Sequence, residues 1–394
     1  MIAHLLKLVW NRKRANALIV VEVFFSFLVL FAVVTLAVYN TRNYIQPLGF
    51  SYKDVWVVNI GSLFQLDVLK SADDSPRLMA ALKEFPQIES VGGQFLGPFE
   101  FGTSNGFYEH KGRRVLAFSN DVTDGFRDVV GIEMVQGRWF DASADALDYD
   151  PVVINRRFRD ELFGSEDPIG KTISVPTAPR QLRVVGVMTE FRKGGELSAP
   201  ENFYFRRISM KPGAKIQLMS FLVKVRPGTP SSLQEQIVAR LRSTSRDRTF
   251  SVELLADKRR SFMQFKMIPV LAGGLVAGFM LLMVGLGMVG VVWQSVARRT
   301  REIGLRRALG GTARDVYMQV LGELVVIATL GLVLGSLLVA QAPLLGLVSW
   351  LTGKLFFVSL GVSLGLMYLL TVAAGLYPSW LATKVQPADV LHYE

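Results

Sequence analysis

Three stretches of this sequence carry residue types at spacings associated with chemistry. Gly164-Ser165-Glu166-Asp167-Pro168-Ile169-Gly170-Lys171-Thr172 ends like a loop that wraps nucleotide phosphates. Such a loop needs four residues between its glycines, so that consecutive backbone N–H groups curl around the phosphates. Here five intervene and Pro168 removes a donor, which argues against nucleotide binding. Gly102-Thr103-Ser104-Asn105-Gly106, with His110 nearby, has the lettering of a nucleophile elbow. An elbow works only between a buried strand and a helix, with an oxyanion hole at the helix start. The flanks 98–101 and 107–112 read instead as strand, turn, strand, which predicts a hairpin with its tip at 102–106. Gly285-Leu286-Gly287-Met288-Val289-Gly290 spells a dinucleotide fingerprint, but it lies in a charge-free run with no strand before it. Histidine occurs only at 4, 110 and 392 and cysteine not at all. Neither a histidine cluster for metal or acid–base work nor a thiolate nucleophile can be assembled. The expectation is a chain with no catalytic, cofactor-binding or metal site, and not an enzyme.

The elements that hold these stretches are written in the charge pattern. The chain has 394 residues, 44 Lys+Arg against 33 Asp+Glu, half its residues hydrophobic and only 20% charged. Soluble domains carry about 25% charged residues, so this apolar excess calls for a solvent other than water. Disordered and disulfide-scaffold classes are excluded by the same numbers. Four stretches are almost free of charge: 15–41 with only Glu22, 267–297 with none, 316–353 with only Glu323, and 355–383 with none. A helix needs roughly 20 apolar residues to cross the ~30 Å hydrocarbon core. The pattern predicts four spans, near 16–39, 268–294, 317–341 and 356–378, with Pro343 in an external turn.

Short-loop charge sets the expected orientation. Lys7, Arg12, Lys13 and Arg14 precede span one, and Arg298, Arg299, Arg301, Arg306, Arg307 and Arg314 lie between spans two and three. Lys and Arg are retained on the cytoplasmic side, so both termini and the 298–315 loop are expected inside and 40–266 outside. Span one lacks an Ala-x-Ala exit, which favours an uncleaved anchor over a signal peptide. The outside segment 40–265 holds 31 Lys and Arg against 27 Asp and Glu, close to balance. The basic excess therefore lies at membrane borders, which suits anionic lipid and an acidic partner rather than nucleic acid.

Within the outside segment two similar units bracket a middle part. Val55-Trp56-Val57-Val58-Asn59-Ile60 reads as a strand, followed by a helix with Ser75 as N-cap and Pro76 at its first position. Phe221-Leu222-Val223-Lys224-Val225 reads as another, followed by a helix with a Ser232/Glu235 capping box and a strand at 250–254. The fold class expected is a membrane protein with four transmembrane α-helices and a large α+β extracytoplasmic domain between helices 1 and 2. The domains are 1–40, 41–266 with an inserted, mostly β subdomain at about 95–215, and 267–394.

Small and charged residues inside the spans point to packing. Gly274/Gly278, Gly331/Gly335 and Gly361/Gly365 are each spaced by four, which lets helices approach where lipid offers no hydrophobic drive. Glu22 and Glu323 each fall within about two turns of the expected cytoplasmic boundary. A charge at the bilayer centre costs roughly 3 kcal/mol or more, so these carboxylates are read as interfacial ion pairs, with Arg12, Arg14 or Arg314 in reach, or as helix and partner contacts.

The cytoplasmic loop Arg298-Arg299-Thr300-Arg301-Glu302-Ile303-Gly304-Leu305-Arg306-Arg307-Ala308-Leu309-Gly310-Gly311-Thr312 is the most informative stretch. From 300 to 311 it reads as a short amphipathic helix ended by Gly310-Gly311, with Thr312 and Asp315 capping the next helix. A short helix held between two spans is a lever, because force on it moves both. The segment closely resembles the coupling region of MacB/FtsX-type ABC transporter permeases, approximately R-x-x-E-I-G-x-x-R-A-L-G. Arg299, Glu302, Ile303, Gly304, Arg307, Ala308, Leu309 and Gly310 fall on that pattern. Gly137-Arg138-Trp139-Phe140, Pro151-Val152-Val153-Ile154-Asn155, Leu162-Phe163-Gly164, Asp167-Pro168-Ile169-Gly170-Lys171 and Val184-Val185-Gly186-Val187 resemble the family's extracytoplasmic (MacB-like periplasmic) core domain. Tyr377-Pro378-Ser379 and Gln386-Pro387-Ala388-Asp389-Val390-Leu391 resemble its C-terminal ending.

The resemblance implies the permease subunit of an ABC complex, a dimer with a second copy or paralogue, bound to two cytoplasmic ATPase subunits. ATP would be bound by that partner, with no cofactor on this chain. It implies a multi-pass cell-membrane protein, in the inner membrane of a Gram-negative cell. Cargo export is the leading expectation. The alternatives are a non-transporting mechanotransmitter that regulates an extracytoplasmic enzyme such as a wall hydrolase, through an extracytoplasmic protein partner, and a receptor with no ATPase. Span one departs from the family in reading Val20-Val21-Glu22-Val23-Phe24-Phe25-Ser26 where relatives often show a Gly-rich stretch.

Overall fold

β-Branched and aromatic residues give β1 (Val55–Ser62) two apolar faces, so it must lie inside a sheet and between two cores. Trp56 and Val58 face one core, Val55 and Val57 the other. The computed structural model describes residues 13–62, 74–174, 181–211, 218–298, 305, 312–348 and 350–383. The chain divides into two units, Arg42–Lys266 and Met1–Thr41 with Met267–Glu394.

The Arg42–Lys266 unit is built on one sheet. Its first wing is antiparallel and runs in the order β11 (Arg248–Leu254), β1, β10 (Ser220–Val225), β2 (Ile88–Gln94). Helices α2 (Ser75–Lys83) and α5 (Ser232–Thr244) cover one face, burying Leu78, Leu82, Leu233, Ile237 and Leu241 against Val91, Phe221 and Val223. The two strand–helix–strand units expected from the sequence thus interleave, the strands β1 and β2 of one alternating with β11 and β10 of the other. Their caps differ from expectation. Asp74, not Ser75, is the N-cap of α2, and its carboxylate accepts instead from the Ser245 hydroxyl at 3.0 Å. Ser231, not Ser232, is the N-cap of α5, and no side chain caps that helix, so the Ser232/Glu235 box does not form. In both cases the helix begins one residue away from where the motif was placed, which turns the candidate hydroxyl off the first-turn amides.

The second wing uses strands between residues 104 and 207. Its order is β4 (Arg113–Val122), β9 (Phe203–Arg207), β6 (Asp150–Asn155), β8 (Leu182–Met188), β5 (Met134–Gly137), with β3 (Ser104–His110) on β4 and β7 (Thr172–Ile173) on β8. Between β2 and β4 the ladder pairs only Gln94 with Val122, so the wings share a seam one pair wide. Helix α3 (Phe126–Val130) lies at that seam, and a Cβ on Gly92 of β2 would come within 2.5 Å of the Phe126 backbone. Helix α4 (Arg156–Phe163) covers β6 and β8 with Phe158 and Leu162. The expected hairpin tip at 102–106 is corrected: 104–110 is itself strand, and the turn is Lys111-Gly112, with φ of 48° and 79°. Two consecutive left-handed residues are what a tight two-residue hairpin requires.

Four helices are long and apolar enough to span a membrane, Ala17–Tyr44, Leu255–Arg298, Ala313–Leu344 and Gly353–Leu381, counted among the described residues, and their apolar lengths make up the other unit. They correspond to α1 (Lys13–Tyr44), α6 (Leu255–Arg298), α7 (Ala313–Val339) with the short α8 (Gln341–Leu344) after it, and α9 (Gly353–Ala382). Their shared core joins Ile19, Val23 and Phe27 of α1 to Val284 and Met288 of α6, Leu324 and Ala328 of α7, and Met367 of α9. Pro343 sits in α8, at the turn expected between the last two spans.

Candidate functional site

The residues expected to contact an ATPase, Arg299, Glu302, Ile303, Gly304, Arg307, Ala308, Leu309 and Gly310, lie outside the described residues, as does the 386–391 block. Leu305 is described: it is helical and 59% exposed. The flanks are defined. Helix α6 runs to Arg298. Helix α7 opens with a complete capping box: Asp315 N–H donates to Thr312 Oγ1 at 3.2 Å, and Thr312 N–H donates to the Asp315 carboxylate at 3.1 Å. Two orphan amides are satisfied reciprocally, which fixes where the chain re-enters a rigid helix.

Inside the membrane unit the small residues divide into two sets. A Cβ on Gly331 would sit 2.8 Å from the Val20 carbonyl oxygen, and one on Gly335 would sit 2.5 Å from the Phe27 ring. At Gly274, Gly278, Gly361 and Gly365 nothing lies within 4 Å. A contact missing from the sequence reading is that of Glu22 with Gly287: a Cβ there would be 2.8 Å from the Glu22 carboxylate. Gly287 and Arg298 are about 16 Å apart along the helix at 1.5 Å per residue. Glu22 thus faces α6 at Gly287, about two turns along its own helix from Arg14. It makes no hydrogen bond or ion pair among the described residues; Arg12 and the Arg14 side chain lie outside them, and Arg314 is exposed. Glu323 accepts from Gln319 Nε2 at 3.3 Å.

In the Arg42–Lys266 unit the first turns of α6 are fastened to the loop after β8. Leu255 is fully buried and Phe262 nearly so. Lys258 pairs with Glu100, and Arg259 donates to Glu196 at 2.6 Å while its guanidinium lies 4.6 Å from the Tyr52 ring centroid. Arg192, among the largest fully buried side chains, donates to the carbonyls of Gln46, Glu196 and Ser198. One guanidinium thereby ties the chain leaving α1 to this loop, satisfying three carbonyls with one buried side chain. Lys193 beside it is also buried and donates to the Gly102 carbonyl; burial holds its ammonium below the usual lysine range. Phe99 completes the hub with φ of 59°, its N–H on the Lys193 carbonyl at 2.9 Å and its ring among Phe50, Tyr52 and Phe262. A bulky residue held in the left-handed region costs of order 1–3 kcal/mol and persists only where its surroundings over-determine it.

The ectodomain motifs singled out in the sequence are builders of the second wing. Asn155 Oδ1 accepts from Phe158 N–H at 3.0 Å and Phe203 N–H at 3.1 Å, capping α4 and locking β9 beside β6. Trp139 donates to the Asp124 carbonyl at 2.9 Å. In the 164–172 loop Glu166 accepts from Lys111 and Lys171, and these two ammoniums hold its carboxyl down to about 2. Asp167 accepts from Ile169 N–H and Gln136. The lysine that imitated a phosphate-binding residue is thus committed to a carboxylate.

The MacB-like periplasmic core domain matches residues 18–242, and the FtsX-like permease C-terminal domain matches residues 274–387. This chain belongs to the MacB/FtsX-like ABC transporter permease family. The permease is accordingly a multi-pass membrane protein with an extracytoplasmic domain between its first two spans. The macrolide export ATP-binding/permease protein MacB of Bordetella avium (strain 197N) is 31% identical over 288 residues, covering 69% of this chain and 42% of that protein. The uncharacterized ABC transporter permease YvrN of Bacillus subtilis (strain 168) is 29% identical over 315 residues, covering 73% of this chain and 75% of that protein. The crystal structure of the periplasmic region of MacB from Actinobacillus actinomycetemcomitans covers 56% of this chain and 97% of that chain, at 18% identity and a TM-score of 0.39. The chain spans only 41% and 42% of the length of two of the MacB relatives it matches.

Proposed function

We propose that this permease couples ATP hydrolysis by a separate cytoplasmic ABC ATPase to conformational change of its extracytoplasmic domain, and so to extrusion of cargo. In this reading both termini and the 299–311 segment are cytoplasmic. Arg299, Glu302, Ile303, Gly304, Arg307, Ala308, Leu309 and Gly310 form the surface that the ATPase grips. ATP is bound by the ATPase, and a second permease copy or paralogue completes the complex.

The observation that supports it is the continuity of α6. One helix starts at the end of β11, is fastened in its first turns by Lys258, Arg259 and Phe262, and continues as a single helix to Arg298. Its 44 residues make about 66 Å at 1.5 Å per residue, twice the hydrocarbon thickness. A push at the 299 end is delivered to strand β11 without crossing a loop. Pro269 lies in the helix just past the fastened turns, where a missing N–H makes a natural bending point.

The test is assembly and coupling. The permease is expected to co-purify with an ABC ATPase whose hydrolysis rate changes on binding. Glu302→Arg should abolish that change while leaving the permease folded in the membrane. An unchanged ATPase response would remove these residues from the contact. The mechanotransmitter reading has one observation in its favour, an exposed pair on the β3–β4 hairpin: Phe107 stands opposite Leu116 with Arg114 over its ring at 4.4 Å. Recovery of a wall hydrolase by the native domain, lost in Phe107→Ser, would select that reading over export.

A further inference from the structure

Opposite charges that could pair, yet stand apart across a cavity, mark a place where something else completes the circuit. Such a cavity, of about 120 Å³, opens at the base of the extracytoplasmic domain. Glu201 and Lys266 line it, with Lys193 beside them and Phe101, Phe203 and Phe262 as apolar wall. Glu201 is half-buried and its carboxylate makes no hydrogen bond or ion pair among the described residues. The ammoniums that act on it, Lys266 first and then Lys193, are both beyond ion-pair distance, and burial raises its carboxyl above the usual range. Lys266 likewise has no hydrogen bond among the described residues; its ammonium rests 5.5 Å from the Phe262 ring centroid. The other charges at the rim are engaged, Glu100 with Lys258 and Gly97 N–H, and Lys193 with the Gly102 carbonyl.

The level of this cavity relative to the bilayer is fixed by the chain. Lys266 immediately precedes the charge-free run that begins at Met267, within the same helix α6. Phe265 is 58% exposed and Phe101 61% exposed, and their rings meet edge to face at 4.7 Å. A lysine ending a charge-free run, with two exposed apolar rings beside it, fits the level where the span meets the headgroup layer. A ligand reaching this cavity therefore comes from the leaflet on the domain's side.

We infer that the cavity holds the headgroup of a zwitterionic phospholipid, with its phosphate on Lys266 and its primary ammonium on Glu201. A phosphate alone would satisfy the lysines and leave Glu201 unpaired beside it, at a cost in repulsion. Phosphate and ammonium on one short linker satisfy both, in a space equal to about four waters at 30 Å³ each. The lipid would tie the fastened turns of α6 to the 193–203 loop in a membrane-dependent way. This inference stands independently of the coupling proposal.

The test uses the full chain in nanodiscs of equimolar phosphatidylethanolamine and phosphatidylglycerol, with lipid retained after mild detergent extraction counted by mass spectrometry. The native permease should retain the ethanolamine lipid at least fivefold over its share of the bilayer. Glu201→Gln should reduce retention to that share, and Glu201→Lys should turn the preference to phosphatidylglycerol, which a purely structural role for Glu201 would not do. Lys266→Gln, at the more accessible end, should weaken retention of both lipids and serves if the Glu201 variants fail to fold. Retention at the bulk ratio in the native chain, or a preference indifferent to Glu201, would overturn the inference. So would a native preference for phosphatidylglycerol, which would mark a simple anion site. Displacement of the lipid by millimolar soluble phosphorylethanolamine would assign the cavity to the free compound and overturn the lipid assignment.

Discussion

The two units of this permease solve the same problem, holding one helix against its neighbours, with opposite chemistry. At the base of the extracytoplasmic domain α6 is held by charge and rings: Lys258 on Glu100, Arg259 on Glu196, Phe262 among Phe99 and Phe101. In the membrane unit no charge pair holds the helices among the described contacts; Gly331 and Gly335 let α7 close on Val20, Val23 and Phe27 of α1, and uncharged ring pairs such as Phe31 with Phe356 add to the packing. Ser363 and Thr371 turn their hydroxyls back to the Ser359 and Met367 carbonyls of their own helix, both at 2.8 Å, and the Thr329 and Tyr368 hydroxyls, 3.1 Å apart, make one neutral bond between α7 and α9. The difference follows from the solvent. Near water an ion pair is cheap to form, and it fixes direction. In lipid a charge is costly and burial of apolar surface supplies no drive, so van der Waals contact at the shortest distance does the holding.

If that contrast is right, removing a charge should hurt in one unit and adding a methyl should hurt in the other. Arg192→Ala should have the largest effect, about 4 kcal/mol, because it empties the space of a buried side chain and leaves the Gln46, Glu196 and Ser198 carbonyls without their donor. Thermal unfolding of the full chain by circular dichroism would measure it. Next, Gly331→Val should cost about 2–3 kcal/mol by overpacking against the Val20 backbone, whereas Gly274→Val and Gly361→Val should cost less than about 0.5 kcal/mol in the isolated chain. Unfolding in mixed detergent separates the two sets, and equal effects would break the comparison. A smaller loss, about 1–2 kcal/mol, is expected for Glu196→Gln, since the amide oxygen still accepts from Arg259 while the charge of a mostly buried pair is lost.

The smallest effect is one of pH. Glu166 is held at about 2 in the folded chain, chiefly by its hydrogen bond to Lys171 and then by that to Lys111, against an ordinary 4.5. A depressed carboxyl contributes its stabilisation in full above the ordinary value and loses it as pH falls toward the folded one. The difference in melting temperature between the native chain and Glu166→Gln should be flat above pH 5 and shrink between pH 4.5 and 2. A difference that grows on acidification would contradict the assignment.

How much could be read in advance follows from the range of each interaction. The four spans were legible because lipid imposes a charge-free run on each segment by itself, and the Thr312/Asp315 box because its partners are three residues apart. Cap positions at Asp74 and Ser231 were misplaced by one residue, since several serines and aspartates compete locally for the same role. The hairpin turn was missed because Lys111 occupies a left-handed position usually given to Asn or Asp. The hub around Arg192 was the least legible part, although Glu196 and Ser198 lie close to Arg192 in the chain. Its other contacts are brought together by the fold from across long stretches of chain, Arg192 with Gln46, Lys258 with Glu100 and Arg259 with Glu196. A dense Arg192-Lys193-Gly194-Gly195-Glu196 run after a buried strand was the one local sign.

The coupling proposal depends on which side of the membrane the arginine-rich segment faces. The chain has no cysteine, so Leu305→Cys supplies a single label site in the middle of that segment. In intact cells a membrane-impermeant maleimide should leave Cys at 305 unmodified until the membrane is opened, while Lys211→Cys in the extracytoplasmic domain is modified at once. Modification at position 305 from outside an intact cell would contradict the account, because no ATPase could then reach it.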